Sequence, residues 1–541
     1  MFVEDIRSDF YNVLLGNRVL LLVHYDVDAI CACKILQGLF KCDNISYTLV
    51  PVGGIAELKA AYEENNEEIK YVVLVNCGGT IDLVDILQPE EDVVFFVLDS
   101  HKPTDVCNVY SDGQVRLVYK DSEENIPNFE DIFRDDDEEN EEETESSRET
   151  LEAVVERRRE RRAWEERRNT LMFNYTQFSY YGKPSACVAL ELCVRLSRVG
   201  VGALWAGGVA LAAAAALCER AQPACLLDGE QLQRHVARAH LAAADGDQQH
   251  GAKVVLEKDV WLPLYRVWSL EAALRHAPAL APQLGLHARA GAARVRSLLA
   301  DMGFPLAQAR QAYAAMDVEL RRGLLGALEA AAARLRLPAP ARAAFLLRRA
   351  LRPPLAAHDL VYAIMALIEH ETIPKGEGFQ RALAALETGG GGGEAGEARQ
   401  AGLAAAQRAL EAVARLVHST LQARQLRLAG PFSYFIVPEG APEARWVRGP
   451  LWLGVAARWA AASGGGRALV AAAARDAHTC LLVGVPPRVD HEPRNLFGAA
   501  FEQAAARCGA AVSLDYVDSA VVALPAAQRA QFLDALTALL A

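Results

Sequence analysis

The 541-residue chain contains no Cys-x-x-Cys pair. Its eleven cysteines are scattered, and Cys31 and Cys33 are the two that lie closest. A structural zinc built on paired thiolates is therefore not expected. Several cysteines sit among apolar neighbours, the surroundings of buried free thiols. The start, MFVEDIRSDF, lacks the basic-then-apolar form of a secretory signal. No long aliphatic run is present, and the alanine-rich stretch 209–217 is too short to span a bilayer. A reducing intracellular compartment and no membrane partner are the expectation. Gly53-Gly54 and Gly78-Gly79 fit neither a P-loop nor a dinucleotide fingerprint and read as turn glycines. There is no Gly-x-Ser-x-Gly elbow and no Cys/His nucleophile constellation. Strong charge on the folded body is missing too. The formal net charge is -13, and residues 121–145 hold fourteen acidic side chains against Arg134 alone. The remainder is near neutral, so charge neither implies nor excludes a nucleic-acid partner.

Apolar residues are plentiful, at 52% of the chain. Much of that share is alanine after position 200, which favours helix and adds little buried area. Before that point the pattern is sharper. Apolar runs at 19–23 (VLLLV), 45–50 (ISYTLV), 71–75 (YVVLV) and 93–98 (VVFFVL) read as buried strands. Helix-like stretches at 29–40 and 55–64 lie between them. Strands alternating with helices indicate a parallel sheet with crossover connections. Functional residues of such sheets gather beyond the carboxyl ends of the strands. Here those ends deliver His24, Asp26 and Asp28, then Asn76, then Asp99, Ser100 and His101.

Residues 121–150 are acidic and expected to be disordered, because they offer few groups to bury and repel one another. Residues 151–168 (LEAVVERRRERRAWEERR) suit a solvated helix with Trp164 as its one large apolar anchor. The aromatics of 169–181 mark a return to the folded body. Residues 185–245 and 269–350 read as helical, including 301–317, with one or two short strands within 253–268. Helices are expected at 355–370 and 396–420, with a glycine loop at 389–393 between them. The end reads as a compact α/β unit. Its strands are expected at 432–437 and 480–485, with others near 444–448 and 513–520, and its helices at 497–507 and 527–540.

Asp26-x-Asp28 at a strand end is a candidate motif for a hard divalent cation, since two close carboxylates need a positive charge between them. Two-metal phosphoryl hydrolysis needs several carboxylates or histidines around both ions. Beyond the two aspartates this chain offers Asp99 and His101, with His24 a weaker addition. Asn76 is neutral where a charged bridging ligand would serve, and Ser100 is a poor ligand. These polar residues also read as simple loop closures. The cluster Arg157, Arg158, Arg159, Arg161 and Arg162 is a candidate nucleic-acid contact, although interleaved glutamates favour a mixed-charge surface helix. Asp490, His491, Arg494 and Asn495 form a polar loop that could bind an anion, with a surface turn the plainer reading.

The strand-end residues carry a family resemblance. HYDVDAICACKILQGLF at 24–40, VLVNCGG at 73–79 and VFFVLDSHKP at 94–103 resemble the first three motifs of the DHH phosphoesterases, the superfamily of the RecJ exonucleases. The chain is more closely similar to the eukaryotic cell division control protein 45 family. That likeness extends through YTLVPV at 47–52, DLVDILQPEEDVVFFVLDSHKP at 82–103, NFEDIFRDDDEE at 128–139 and LQRHVAR at 232–238. It continues through DMGFPLAQARQAYAAMD at 301–317, segments within 483–506, and FLDALTALL at 532–540.

The resemblance implies an α/β fold with a DHH phosphoesterase-like parallel-sheet domain, an acidic insertion, a helical interdomain insertion and a C-terminal DHH-associated domain. The corresponding boundaries are 1–120, 121–168, 169–268, 269–395 and 396–541. Asp26 and Asp28 match the first-motif carboxylates, while Asn76 stands where the second motif has aspartate. Asp99 and His101 match the first and third letters of Asp-His-His, and Ser100 replaces the middle one. A later aspartate of active members has no counterpart in 204–227, which contains none. The family thus implies a remnant site with no catalysis, no expected metal and no cofactor. It also implies a nuclear role in DNA replication beside the minichromosome maintenance hexamer and the GINS complex. Further implied partners are origin loading factors, the replicative polymerase machinery and single-stranded DNA held in a positive groove.

Overall fold

The N-terminal half is laid out by a strand–helix alternation that begins with β1 (Val19–His24) and α1 (Val27–Cys42). It runs on through β2 (Tyr47–Val52), α2 (Ile55–Asn65), β3 (Tyr71–Val75), α3 (Leu83–Leu87), β4 (Val94–Leu98), the two-residue β5 (His101–Lys102), α4 (Val106–Tyr110) and β6 (Val115–Leu117). The computed structural model describes residues 1–111, 113–133, 151–244, 251–350, 352–389, 393–489 and 493–541. The acidic run from 134 onward, and Asp490 and His491 of the polar loop, lie outside the described residues.

Strand order is β2-β1-β3-β4-β6, with every pair parallel. β1 and β3 lie inside the sheet because their bulky residues bury on both faces. Leu20, Leu22, Val72, Leu74 and Phe95 pack on one face beneath Leu58 and Tyr62 of α2 and Leu83 of α3. Leu21, Val23, Val73, Val75 and Phe96 pack on the other, against α1, α7 (Ser185–Arg195) and α8 (Val201–Ala216). The long helix of Leu151–Thr176 leads back into the body through β7 (Tyr180–Tyr181), which pairs antiparallel with β5.

The root of the acidic segment is packed rather than disordered. Glu124 is buried, and it accepts from Thr104 N at 2.6 Å and pairs with buried Lys102 at 2.9 Å. Tyr175 Oη donates to the same carboxylate at 2.8 Å. A short helix, Phe129–Ile132, then meets the long one: Trp164 Nε1 donates to Glu130 O at 3.5 Å and Arg168 Nε to Ile132 O at 2.8 Å.

The middle of the chain departs from the helical expectation. β8 (Lys253–Val260) pairs antiparallel with β9 (Ala341–Arg349), which pairs with β10 (Arg352–Ala356). β9 reads as helix in sequence because ARAAFLLRR mixes alanine and arginine; strand pairing overrides that propensity. The segment 301–317 is not one helix. A helix ends at Asp301, a turn follows with Gly303 at φ 75°, and Leu306–Arg310 starts again after Pro305. Between β8 and β9 a separate core forms around Leu270, Leu274, Leu298, Leu299 and Leu328.

Helices Ala357–Ile368, Lys375–Ala385 and Glu394–Gln422 then carry the main core onward to a second sheet. That sheet holds β11 (Arg427–Ala429), β12 (Phe432–Ile436), β13 (Leu469–Ala474), β14 (Thr479–Val485) and β15 (Val521–Pro525), hydrogen-bonded in that order. β13 was not visible in the sequence because four of its residues are alanine. The strands expected near 444–448 and 513–520 are instead a 3-10 turn, Ala444–Val447, and a loop leading to β15. Helix Pro450–Ser463 covers one face of this sheet, and Phe497–Cys508 and Arg529–Leu540 cover the other. The α/β class with a parallel N-terminal sheet is as expected. Among the described residues no helix is long and apolar enough to cross a membrane.

Candidate functional site: a carboxylate cluster closed by hydrogen bonds

β1, β3 and β4 end side by side, which places Asp26, Asn76 and the Asp99-Ser100-His101 run at one rim of the sheet. Asp26 is the N-cap of α1, accepting from Ala29 N at 2.7 Å. A carboxylate there meets the positive end of the helix. Asp28 lies in the first turn of the same helix and is buried. Asn76 adopts φ 50°, a left-handed conformation that asparagine tolerates, and its side chain reaches both aspartates. Nδ2 donates to each Asp26 oxygen at 3.2 Å and to Asp28 Oδ2 at 3.0 Å. Oδ1 accepts from Ser185 Oγ at 2.5 Å and from Ser100 N at 3.2 Å.

Asp28 has a second partner set. Its Oδ2 accepts from Ser185 N at 2.7 Å and its Oδ1 from Ala186 N at 3.0 Å. These are the first two N–H groups of α7, donors with no partner inside that helix. The residue that matches a metal ligand in sequence therefore caps a helix 157 residues away in sequence. Asp99 is held equally closely. It accepts from His101 N at 2.9 Å, His101 Nδ1 at 2.7 Å and Gly79 N at 2.9 Å. A Cβ on Gly79 would lie 2.8 Å from the Asp99 side chain, so the turn glycine permits this approach.

Burial, then mutual repulsion, pushes the Asp26 carboxyl above its usual range. Burial also raises Asp28, against the pull of its hydrogen-bond donors. For His101 burial works downward, but the paired Asp99 carboxylate outweighs it and holds the imidazole up at about 9. An imidazolium is thus a resident cation of the cluster. His24 goes the other way: burial, then His101, lowers it to about 3. Neutral His24 donates from Nδ1 to Val52 O at 3.1 Å.

Every residue singled out at the strand ends comes to this cluster. The arginines do not. Arg158, Arg159, Arg161 and Arg162 lie on the exposed face of the long helix, and none lines the cavity beside the cluster. Other members were missed in sequence. Ser185 is not a metal-ligand type, and only its place after Pro184 at a helix start could have drawn attention to it. Glu219 lies within the aspartate-free stretch 204–227 and lines the same cavity. Burial raises it to about 7, with Arg458 opposing the rise and Asp28 adding to it. Tyr181, whose Oη donates to Asp518 Oδ2 at 3.2 Å, lies against the His101 ring with centroids 5.1 Å apart and the planes tilted by 50°.

The side chains do not fit a two-metal centre. A bridging cation needs free carboxylate lone pairs. Here an amide N–H group points between the two aspartates, and helix N–H groups occupy both oxygens of Asp28. Among the described residues no set of three His, Cys, Asp or Glu side chains is placed to hold a metal ion. Beside the cluster lies a cavity of about 1240 Å³, walled by both large sheets and by β9, with Arg342, Arg458, Arg488 and Lys375 in its lining.

The sequence matches the model of the CDC45 family over residues 19–153, 120–377 and 374–539. It is 36% identical to the human cell division control protein 45 homolog over 568 aligned positions that cover all of both chains. The Schizosaccharomyces pombe homolog is 30% identical over 425 positions, covering 68% of this chain and 66% of that one. The crystal structure of CDC45 from Entamoeba histolytica shares the fold, with a TM-score of 0.74, 19% identity and 99% of each chain covered. Matched from end to end by sequence and by fold, the chain belongs to the CDC45 family of DNA replication factors.

Proposed function

We propose that the chain is a non-catalytic core subunit of the eukaryotic replicative helicase assembly, joining the minichromosome maintenance hexamer and the GINS complex in the nucleus. One observation carries this reading: a family match over the whole chain whose phosphoesterase-like site is filled by the Asn76 amide. The chain has no P-loop, so ATP hydrolysis falls to the hexamer. Origin loading factors and the polymerase machinery are further partners on the same reading. Reconstitution with the hexamer and GINS, read as duplex unwinding, is the test. Unwinding that requires this chain is expected, and a folded chain that never joins the other two refutes the role. A sensitive nuclease assay with Mn²⁺ tests the silent site. No metal-dependent turnover is expected, and turnover abolished by Asp28→Ala overturns the non-catalytic reading.

A second reading rests on the cavity beside the cluster. Arg342 lies over Trp261 at 5.0 Å, and Arg458, Arg488 and Lys375 share the lining. Those groups suit the backbone of single-stranded DNA. Binding of a labelled oligonucleotide that weakens with added salt supports it, and salt-insensitive or absent binding counts against it.

A further inference from the structure

Residues 509–520, between helix Phe497–Cys508 and β15, reach out of the C-terminal sheet to the N-terminal one. Asp515 caps α2, with its backbone oxygen accepting from Ile55 N at 2.8 Å and its Oδ1 from Ala56 N at 2.6 Å. Val517 packs on the N-terminal sheet's own core. Asp518 accepts from Tyr181 Oη at 3.2 Å. Nearby, Ser179 and Asn495 exchange both backbone hydrogen bonds at 2.8 Å as a lone antiparallel bridge. Ser179, Tyr181, Asn495, Tyr516, Val517 and Asp518 all line the cavity.

These contacts differ from ordinary core packing. A helix N-terminus leaves its first N–H groups without partners inside the helix, and here the missing acceptors come from 459 residues away in sequence. The approach is also at its steric limit. A Cβ on Gly54 would lie 2.1 Å from the Asp515 backbone oxygen. Gly54 itself is extended, with φ -177° and ψ -177°, a conformation open to any residue. The glycine is required by the contact rather than by the local backbone.

We infer that the 515–518 segment, with the Ser179–Asn495 bridge, is a latch that holds the cavity seam closed and gates entry of a polymer into it. The contacts are few and sit at the seam: the hydrogen bonds to Ile55, Ala56 and Tyr181, the paired Ser179–Asn495 bonds, and the apolar contacts of Tyr516 with the main core and of Val517 with the N-terminal one. The segment can therefore part while the helices that carry the main core stay packed. The ligand side of this inference rests on the second reading above, single-stranded DNA in the cavity. An apparent affinity is reduced by the fraction of molecules in the open state, so loosening the latch strengthens binding.

Gly54→Ala pushes Asp515 away without a backbone penalty of its own, and Asp515→Ala removes the side-chain cap. The paired change Ser179→Cys with Asn495→Cys locks the seam, since hydrogen-bonded antiparallel partners lie within disulfide reach. Two measurements are made on the full chain: hydrogen exchange at Ile55 and Ala56, and binding of fluorescein-labelled oligothymidylate. In Gly54→Ala, exchange at both amides accelerates and the oligonucleotide binds about tenfold more tightly. The oxidised double-cysteine form loses binding and regains it on reduction. Exchange at Ile55 and Ala56 unchanged in both opening variants overturns the latch, as does an oxidised form that binds as well as the reduced one. Faster exchange with no oligonucleotide binding by any form supports the latch and removes single-stranded DNA as its ligand.

Discussion

Asn76 is a neutral amide between two buried carboxylates, and it donates to both. Asn76→Asp removes those donors and adds a third carboxyl to a buried cluster in which Asp26 and Asp28 already resist ionisation. Leaving buried acceptors unpaired and burying another acidic group costs about 2–4 kcal/mol. The variant is therefore expected to unfold at lower denaturant, with an unchanged slope. An unfolding midpoint equal to that of the parent would show that the amide is not what holds the cluster together. Titration gives a second test. His101 is held at about 9 against an ordinary 6.5, so the folded state keeps a proton that the unfolded state releases. Its contribution is complete below pH 6.5 and is lost as pH rises to 9. The raised Asp26 and Asp28 act in the same direction, losing their contribution as pH rises above the usual carboxylate range. Asp99 is lowered by His101 against the opposing effect of burial, so its contribution is lost only on acidification. The thermal midpoint is expected to fall from pH 6.5 to 9, and Asp99→Asn flattens that fall.

At the scale of elements, the Lys102–Glu124 pair ties β5, the root of the acidic segment and the long helix at one buried point. Glu124→Ala leaves the Lys102 ammonium buried without its counter-charge. A loss of about 3–5 kcal/mol is expected, since breaking a buried pair exposes the full desolvation cost. Lys102→Met with Glu124→Leu is expected to recover most of it, and equal losses in the single and double variants would contradict this account. This pair also shows where sequence legibility stops. Glu124 sits in a run whose composition signals disorder, and nothing local announces that Lys102, Thr104 and Tyr175 converge on it. The four large strands of the N-terminal sheet were legible because Val, Leu, Ile and Phe fill them between polar turns. β9 and β13 were not, because alanine in both, and arginine in β9, favours helix until strand pairing overrides it. At the site, Asp26, Asp28, Asn76, Asp99, Ser100 and His101 were legible as strand-end residues. Ser185 and Glu219 were not, since one arrives from a helix start and the other from a turn between helices, both distant in sequence.

Across the whole molecule, a core passes from one face of the parallel sheet through α1, α7 and α8 to the helices of 357–422 and on to the C-terminal sheet. Glu369, at the end of helix Ala357–Ile368, locks that path by accepting from Leu451 N at 2.8 Å and Trp452 N at 3.0 Å. Burial raises this carboxyl to about 7, against the pull of those two N–H groups. Glu369→Ala removes the cap of helix Pro450–Ser463 and is expected to cost about 1–2 kcal/mol. Hydrogen exchange at Leu451 and Trp452 should accelerate, and unchanged protection there would show that the helix start is held by packing alone.

The meeting of helix Phe129–Ile132 with helix Leu151–Thr176 also bears on leverage. Trp164 and Arg168 hold the short helix from the second half of the long one. The long helix is thus a lever pinned along one side. A change at Trp164 or Arg168 frees the short helix, while a change on the exposed arginine face leaves that attachment intact.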